Sequence, residues 1–267
     1  MEGRLLIIAG SDSGGGAGIQ ADIKTAAAFG CYTSTAVTAI TVQNTLGVSE
    51  VCNVPEHVIT GQIQVVLDDI GADVVKTGML SNSEVIQKVA HILMRYRHIP
   101  VVLDPVMVAK GGALLLEEEA ISTLKRTLLP QSYLMTPNIP EAESLTSMVI
   151  DSKDRMVQAA YAIQKLGAKN VLVKGGHLDG DIIYDVLVTE KGEVEIFEHP
   201  RIHTENTHGT GCTLASAIAC GVAKKKPLRL CIEEAIDYVA RAIARAPKIG
   251  QGHGPLNHYV GPDKSAA

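Results

Sequence analysis

Short aliphatic runs alternate with helix-periodic stretches along nearly the whole chain, and that alternation limits the architecture more than any other feature. Residues 5–9, 34–40, 73–77, 101–103, 133–135 and 171–174 read as strands. Residues 19–29, 54–69, 83–97, 117–129 and 153–166 read as helices between them. This order predicts an α/β fold with a central, mostly parallel sheet flanked by helices on both faces. Residues 182–188 and 193–198 flank Thr189-Glu190-Lys191-Gly192, which predicts an antiparallel edge hairpin. Helices at 213–223 and 228–246 close the chain, and with no linker or repeat it is expected to be a single domain over residues 1–267.

The chain of 267 residues carries 24 Lys+Arg against 29 Asp+Glu, a formal net charge of -5. It lacks the basic footprint of a nucleic-acid or membrane-surface binder, so neither partner is expected. With 7 Tyr, 2 Phe and no Trp, it has few faces on which bases could stack, and its core must be aliphatic. The five cysteines form no CxxC pair, which points to a reduced, cytoplasmic setting. The apolar segment at 5–9 is too short for a signal peptide, and no run is long enough to span a membrane. Cys31, Cys52, Cys220 and Cys231 are expected as small buried hydrophobes. His253 and His258 are expected at the surface, and Lys224-Lys225-Lys226 as a solvated helix end.

In an open α/β sheet, ligands bind at the carboxyl ends of the strands, so the residues after each strand carry the functional signal. Eleven of the 25 glycines fall in four clusters, at 10–18, 111–112, 175–176 and 209–211, and three of these follow strands or open a helix. The loop Gly10-Ser11-Asp12-Ser13-Gly14-Gly15-Gly16-Ala17-Gly18 fits neither a Walker A nor a GxGxxG pattern, and reads equally as a flexible loop or as backbone meant to approach a ligand. Thr207-His208-Gly209-Thr210-Gly211-Cys212-Thr213 runs straight into an apolar helix, an arrangement suited to an anion such as phosphate. There Cys212 is expected to have a lowered thiol pKa, a buried inert thiol being the other reading. Asn138-Ile139-Pro140-Glu141 reads either as a capping box or as a pair holding Mg²⁺ through water. Asp104 and Lys174 each follow an aliphatic strand, and Lys174 reads as a phosphate-binding charge or as a solvated lysine. Neither a GxSxG elbow nor an HExxH motif is present.

Taken together, residues 9–22, 38–44, Lys76-Thr77-Gly78-Met79, Asp104-Pro105-Val106-Met107, residues 136–142, Lys174-Gly175-Gly176-His177 and residues 206–213 resemble the hydroxymethylpyrimidine and hydroxymethylpyrimidine-phosphate kinases of thiamine biosynthesis. The resemblance runs from about residue 5 to residue 246. It implies a ribokinase-like fold, Mg²⁺ and ATP, transfer of the γ-phosphoryl group to the pyrimidine alcohol and then to its monophosphate, and a homodimer. It further implies that Gly209, Thr210, Gly211 and Cys212 supply an anion hole, with Cys212 also in the place of the general base. Lys174, Asp104, Asn138, Thr207 and His208 are placed with ATP, and Glu141 with Asn138 at the metal. Gln43 matches the ring-recognising glutamine, with Gly10, Ala17, Asp22, Met79 and Val106 around the ring. An amide that both donates and accepts suits an aminopyrimidine edge. Two other readings stand beside this one: a pyridoxal kinase, alone or as a dual activity, and a non-catalytic nucleotide or vitamer sensor.

Overall fold

The computed structural model describes residues 2–108, 112, 116 and 118–260. Its elements run β1 (Arg4–Asp12), α1 (Gly18–Ala28), β2 (Tyr32–Asn44), β3 (Gly47–Asn53), α2 (Glu56–Asp69), β4 (Val74–Thr77), α3 (Ser83–Leu93), β5 (Val101–Leu103) and α4 (Glu118–Thr127). They continue with β6 (Leu134–Met135), α5 (Ile139–Thr146), α6 (Lys153–Lys165), β7 (Asn170–Val173), β8 (Ile182–Val188), β9 (Val194–Pro200), α7 (Thr210–Ala223) and α8 (Leu228–Ala244). The strands form one sheet in the order β3-β2-β1-β4-β5-β6-β7-β8-β9. The six strands from β2 to β7 in this order pair in parallel. Residue 117 of the expected fourth helix and residue 111 of the second glycine cluster lie outside the described residues.

Period-two alternation sends successive side chains of β1 to opposite faces. Leu6 and Ile8 enter a core shared with α2 to α6, while Leu5 and Ile7 enter a second core shared with α1, α7 and α8. The α/β sandwich is thus as expected, and the 182–198 hairpin is an antiparallel pair at one edge. The opposite edge departs from expectation, because β2 continues past residue 40 to Asn44 and turns into β3, a second antiparallel pair. β3 has no buried residue, so it carries no apolar period and its place is decided by backbone pairing alone. The third expected helix ends early and passes into a 3-10 turn at Met94–Tyr96. No helix among the described residues is long and apolar enough to cross a membrane.

Helix starts divide into two kinds. α3 and α6 are capped by Asn82 and Ser152, whose side chains accept from backbone N–H groups of the first turn. α1 and α7 begin at Ala17 and Gly209 with no side-chain cap, leaving first-turn amides for another acceptor. The α1 and α7 starts border the same cavity, because the sheet changes winding direction at β1, which has β2 on one side and β4 on the other.

Candidate active site

A cavity of about 650 Å³ opens at the carboxyl ends of the parallel strands. Gly10, Ala17, Gln43, Met79 and Val106 line it from the β1, β2, β4 and β5 side. Asp104, Asn138, Glu141 and Lys174 line it from the loops after β5, β6 and β7. Residues 207–212, from Thr207 through Cys212, complete the wall. Every expected site residue is therefore brought together except Asp22. That carboxylate is wholly buried, does not line the cavity, and takes both oxygens to Lys76 Nζ at 2.9 Å each.

Close backbone packing explains the glycines. Gly209 has φ +84, and a Cβ there would overlap the carbonyl oxygen of Gly16. That approach brings the β1–α1 loop and the start of α7 together through backbone, while Gly18, with φ +55, packs against the Gly10 carbonyl within the loop itself. Gly211 leaves room for Lys174 Nζ, which would lie 3.3 Å from a Cβ at that position.

Lys174 pairs with Asp104 Oδ1 at 2.9 Å, and Thr136 Oγ1 donates to the same oxygen at 3.1 Å. Lys174 is therefore not the solvated lysine, since its side chain is only 12% exposed. Burial pushes the Asp104 carboxyl up, but the ammonium groups of Lys174 and Lys76 outweigh it and hold Asp104 below its usual range. Asn138 and Glu141 form a complete capping box: Asn138 Oδ1 accepts from Glu141 N at 2.9 Å and Glu141 Oε2 accepts from Asn138 N at 2.7 Å. Burial raises the Glu141 carboxyl to about 7, with Lys174 pulling it down and Asp104 pushing it up. Both sequence readings of the NxxE segment therefore meet in one place, because the capped pair also faces the cavity.

Cys212 corrects an expectation. It stands at the third position of α7, and Gly18 N–H donates to its sulfur, yet burial pushes the thiol up to about 11. Lys76 draws it down while Asp22 and Asp104 push it up. Desolvation thus outweighs the helix end, whose effect is modest. Position in the chain marks the helix end but not the carboxylates of Asp22 and Asp104 packed around it.

His208, expected with the nucleotide, is bonded to the glycine loop. Its Nε2 lies 2.8 Å from Asp12 Oδ2 and 3.3 Å from Gln43 Nε2. Asp12 also accepts from the amides of Gly14, Gly16 and Ala17 at 2.8, 3.1 and 2.8 Å. Burial raises Asp12, but His208 and these amides more than offset it, leaving the carboxyl below its usual range. Thr41 Oγ1 is 3.0 Å from both the Ser11 carbonyl and the Gln43 amide, and its one proton can serve only one of them. The one proton that His208 Nε2 can carry goes to the nearer acceptor, the Asp12 carboxylate, and Thr41 Oγ1 lies against Gln43 Oε1. The residues that sequence reasoning left aside here are Asp12, Thr41 and Lys76. A buried charge in a strand, such as Lys76, was the one available signal.

Among the remaining expectations, His253 is exposed, but His258 is 5% exposed and bonded through Nε2 to Thr213 Oγ1 at 2.9 Å. Cys31, Cys220 and Cys231 are buried, whereas Cys52 on β3 is exposed. In the lysine run, Lys224 reaches Glu2 and Lys226 reaches Glu234. The described residues contain no group of three or more His, Cys, Asp or Glu side chains able to hold a metal directly.

A mostly parallel sheet with its cavity at the winding switch, walled by an uncapped helix start, makes this a ribokinase-like α/β protein. A family model described as phosphomethylpyrimidine kinase matches residues 12–257, and the chain belongs to that family. It is 51% identical over 258 residues to the bifunctional thiamine biosynthesis protein ThiED of Geobacter sulfurreducens, covering 97% of this chain but only 52% of that one. It is 46% identical to the hydroxymethylpyrimidine/phosphomethylpyrimidine kinase of Bacillus subtilis, covering 96% of this chain and 95% of that one. Among solved structures, the ADP complex of Bacillus subtilis pyridoxal kinase superposes with a TM-score of 0.89 at 36% identity, covering 97% and 98% of the two chains. Phosphomethylpyrimidine kinase of Clostridium difficile gives 0.80 at 42% identity, covering 90% and 99%.

Proposed function

We propose that this protein transfers the γ-phosphoryl group of ATP to the hydroxymethyl oxygen of 4-amino-5-hydroxymethyl-2-methylpyrimidine, and then to the resulting monophosphate, in thiamine biosynthesis. The observation that carries this reading is the meeting, in one cavity, of the uncapped α7 start, the Lys174–Asp104 pair and the Gln43–Met79–Val106 group. Phosphoryl transfer asks chiefly for positioning and charge stabilisation, which oriented amides and a lysine supply. On this reading the amides of Gly211 and Cys212 receive the oxygens of the moving phosphoryl group. Lys174 neutralises nucleotide phosphate charge, and Asp104 fixes the lysine in place. Gln43 holds the amino-substituted ring edge, while Met79 and Val106 contact its faces. Cys212 takes the hydroxyl proton, and only its thiolate form can do so.

Mg²⁺ fits this donor set as a hydrated ion. Asn138 and Glu141 spend oxygens on each other's amides, so neither offers a free inner ligand pair, but the Glu141 carboxyl lines the cavity and burial raises its proton affinity. A dication keeping most of its water would favour the ionised carboxylate and be held through that water. When bound it would neutralise charge on the nucleotide phosphates. The family resemblance further supports a homodimer, and the exposed side chains of Ile40, Val42 and Leu46 offer an apolar face for it. A reduced, cytoplasmic setting agrees with five free cysteines.

The close superposition on a pyridoxal kinase favours a second reading, activity on pyridoxal at the same site. A coupled assay for ADP release with the pyrimidine alcohol and with pyridoxal separates the two. Higher kcat/KM for the pyrimidine is expected; the reverse would make pyridoxal the substrate. Tight ATP binding with no turnover on either would favour the sensor reading.

A further inference from the structure

Two oppositely charged side chains, one at the cavity wall and one behind it, are left unused by the mechanism above. Lys76 lies on β4 and Asp22 on α1, both are fully buried, and the ammonium is 2.9 Å from each carboxylate oxygen. Ser216 Oγ donates to Asp22 Oδ1 at 2.7 Å. Ser216 is four residues after Cys212 on α7, so it lies one turn along the same helix face. Lys76 and Cys212 both line the cavity, whereas Asp22 does not.

A buried ion pair is poor value as a stabilising device, because desolvating both charges cancels most of their attraction. Sharing the cavity lining with its one thiol, and tied through Asp22 and Ser216 to the helix that carries that thiol, Lys76 has another use. We infer that Lys76, oriented by Asp22 and Ser216, is a positioning residue that makes the Cys212 thiolate attainable. This rests on the reading of Cys212 as proton acceptor. The groups whose charge or dipole acts on Cys212 are Lys76 from β4, Asp22 and the Gly18 amide from α1, Asp104 after β5 and Lys174 after β7. Lys174 is spent on Asp104, and Asp104 opposes the thiolate. Lys76 is the strongest charge acting in the thiolate's favour, stronger than the opposition of Asp22. Asp22 therefore acts as a brake that also holds the ammonium charged and in place.

Opposite charges make opposite predictions, which a structural role does not. The probe is iodoacetamide, with alkylation of Cys212 followed against pH by peptide mass spectrometry on the full chain, and exposed Cys52 serving as internal control. Lys76→Met is expected to move the Cys212 midpoint up by about one unit, slowing its alkylation at neutral pH about tenfold. Asp22→Asn is expected to move it down, with Cys52 unchanged in both. The apolar double replacement Lys76→Met/Asp22→Leu removes the pair without leaving a lone buried charge, and is expected to move the midpoint up, since the larger of the two influences is lost. That variant keeps the test decisive if a single replacement does not fold. Midpoints that stay fixed, or that move the same way in Lys76→Met and Asp22→Asn, overturn the inference. Failure of the base assignment shows separately: Cys212→Ala would then retain turnover, whatever the alkylation midpoints do.

Discussion

Gly209 packs so closely on Gly16 that a Cβ at position 209 would overlap the Gly16 carbonyl oxygen, and its φ of +84 already disfavours any other residue. The contact joins the two loops that form the cavity wall. Gly209→Ala is expected to cost about 1–3 kcal/mol in unfolding free energy from backbone strain alone. It should also depress kcat far more than a change of that size elsewhere, because it shifts the amides of the α7 start. Thermal melting and steady-state kinetics on one preparation measure both effects; a variant with wild-type kcat would show that the loop contact is not needed for catalysis.

Cys212 should govern the pH dependence of turnover. With the thiol held near 11, the thiolate fraction rises about tenfold per pH unit through neutrality. The rate is expected to climb from pH 7 toward pH 9, and Cys212→Ala to lose about 10²–10⁴-fold in kcat with ATP affinity largely kept. Isothermal titration with a non-hydrolysable ATP analogue and a pH–rate profile check the two halves.

Glu141 offers a stability test with a definite sign. Its carboxyl is raised from the ordinary 4.5 to about 7, so the folded protein favours the protonated form. That contribution is fully present below the unfolded value and is lost as pH rises through about 7. Glu141→Gln resembles the protonated acid and keeps the capping oxygen. Above pH 7 it should gain up to ~3 kcal/mol relative to wild type, and near pH 4.5 almost nothing. Denaturant titrations at the two pH values decide it, and the same variant should bind Mg²⁺-nucleotide more weakly.

His258 runs the other way. Burial lowers its imidazole from 6.5 to about 4, so the unfolded chain takes up the proton first. Its stabilising effect is whole above 6.5 and is lost as pH falls toward 4, by up to ~3 kcal/mol. His258→Gln should flatten that acid limb in a melting series from pH 7 to pH 4, with little change at pH 7.5.

Breaking the Lys174–Asp104 pair should be costly. Lys174→Met leaves Asp104, only 2% exposed, without its hydrogen-bonded cation, an expected loss of ~3 kcal/mol. ATP affinity should fall with it. Asp104→Asn in the same background should recover stability while leaving ATP binding weak, which separates the two roles of the lysine.

Much of this was legible in the chain itself. The alternation of strand and helix patterns placed Gly10, Asp104, Asn138 and Lys174 at strand ends, and the strand-end rule then brought them to one edge. The glycines of residues 207–213 marked the α7 start because glycine is needed where backbone meets backbone. β3 was not legible, since an exposed edge strand has no buried face to impose a period. Nor was the burial of His258, which depends on how the tail lies across α8, where Tyr238 OH donates to the His258 carbonyl at 2.9 Å.

Local pattern thus determined which residues face the cavity, because side-chain direction follows from strand and helix geometry within a few residues. Tertiary structure decided how those residues are charged. The pairing of Lys76 with Asp22, 54 positions apart, and the raised thiol of Cys212 both arise from exclusion of water and from charges carried in on distant segments. Electrostatic energy in a buried site depends on distances through space, and no local reading of the chain contains them.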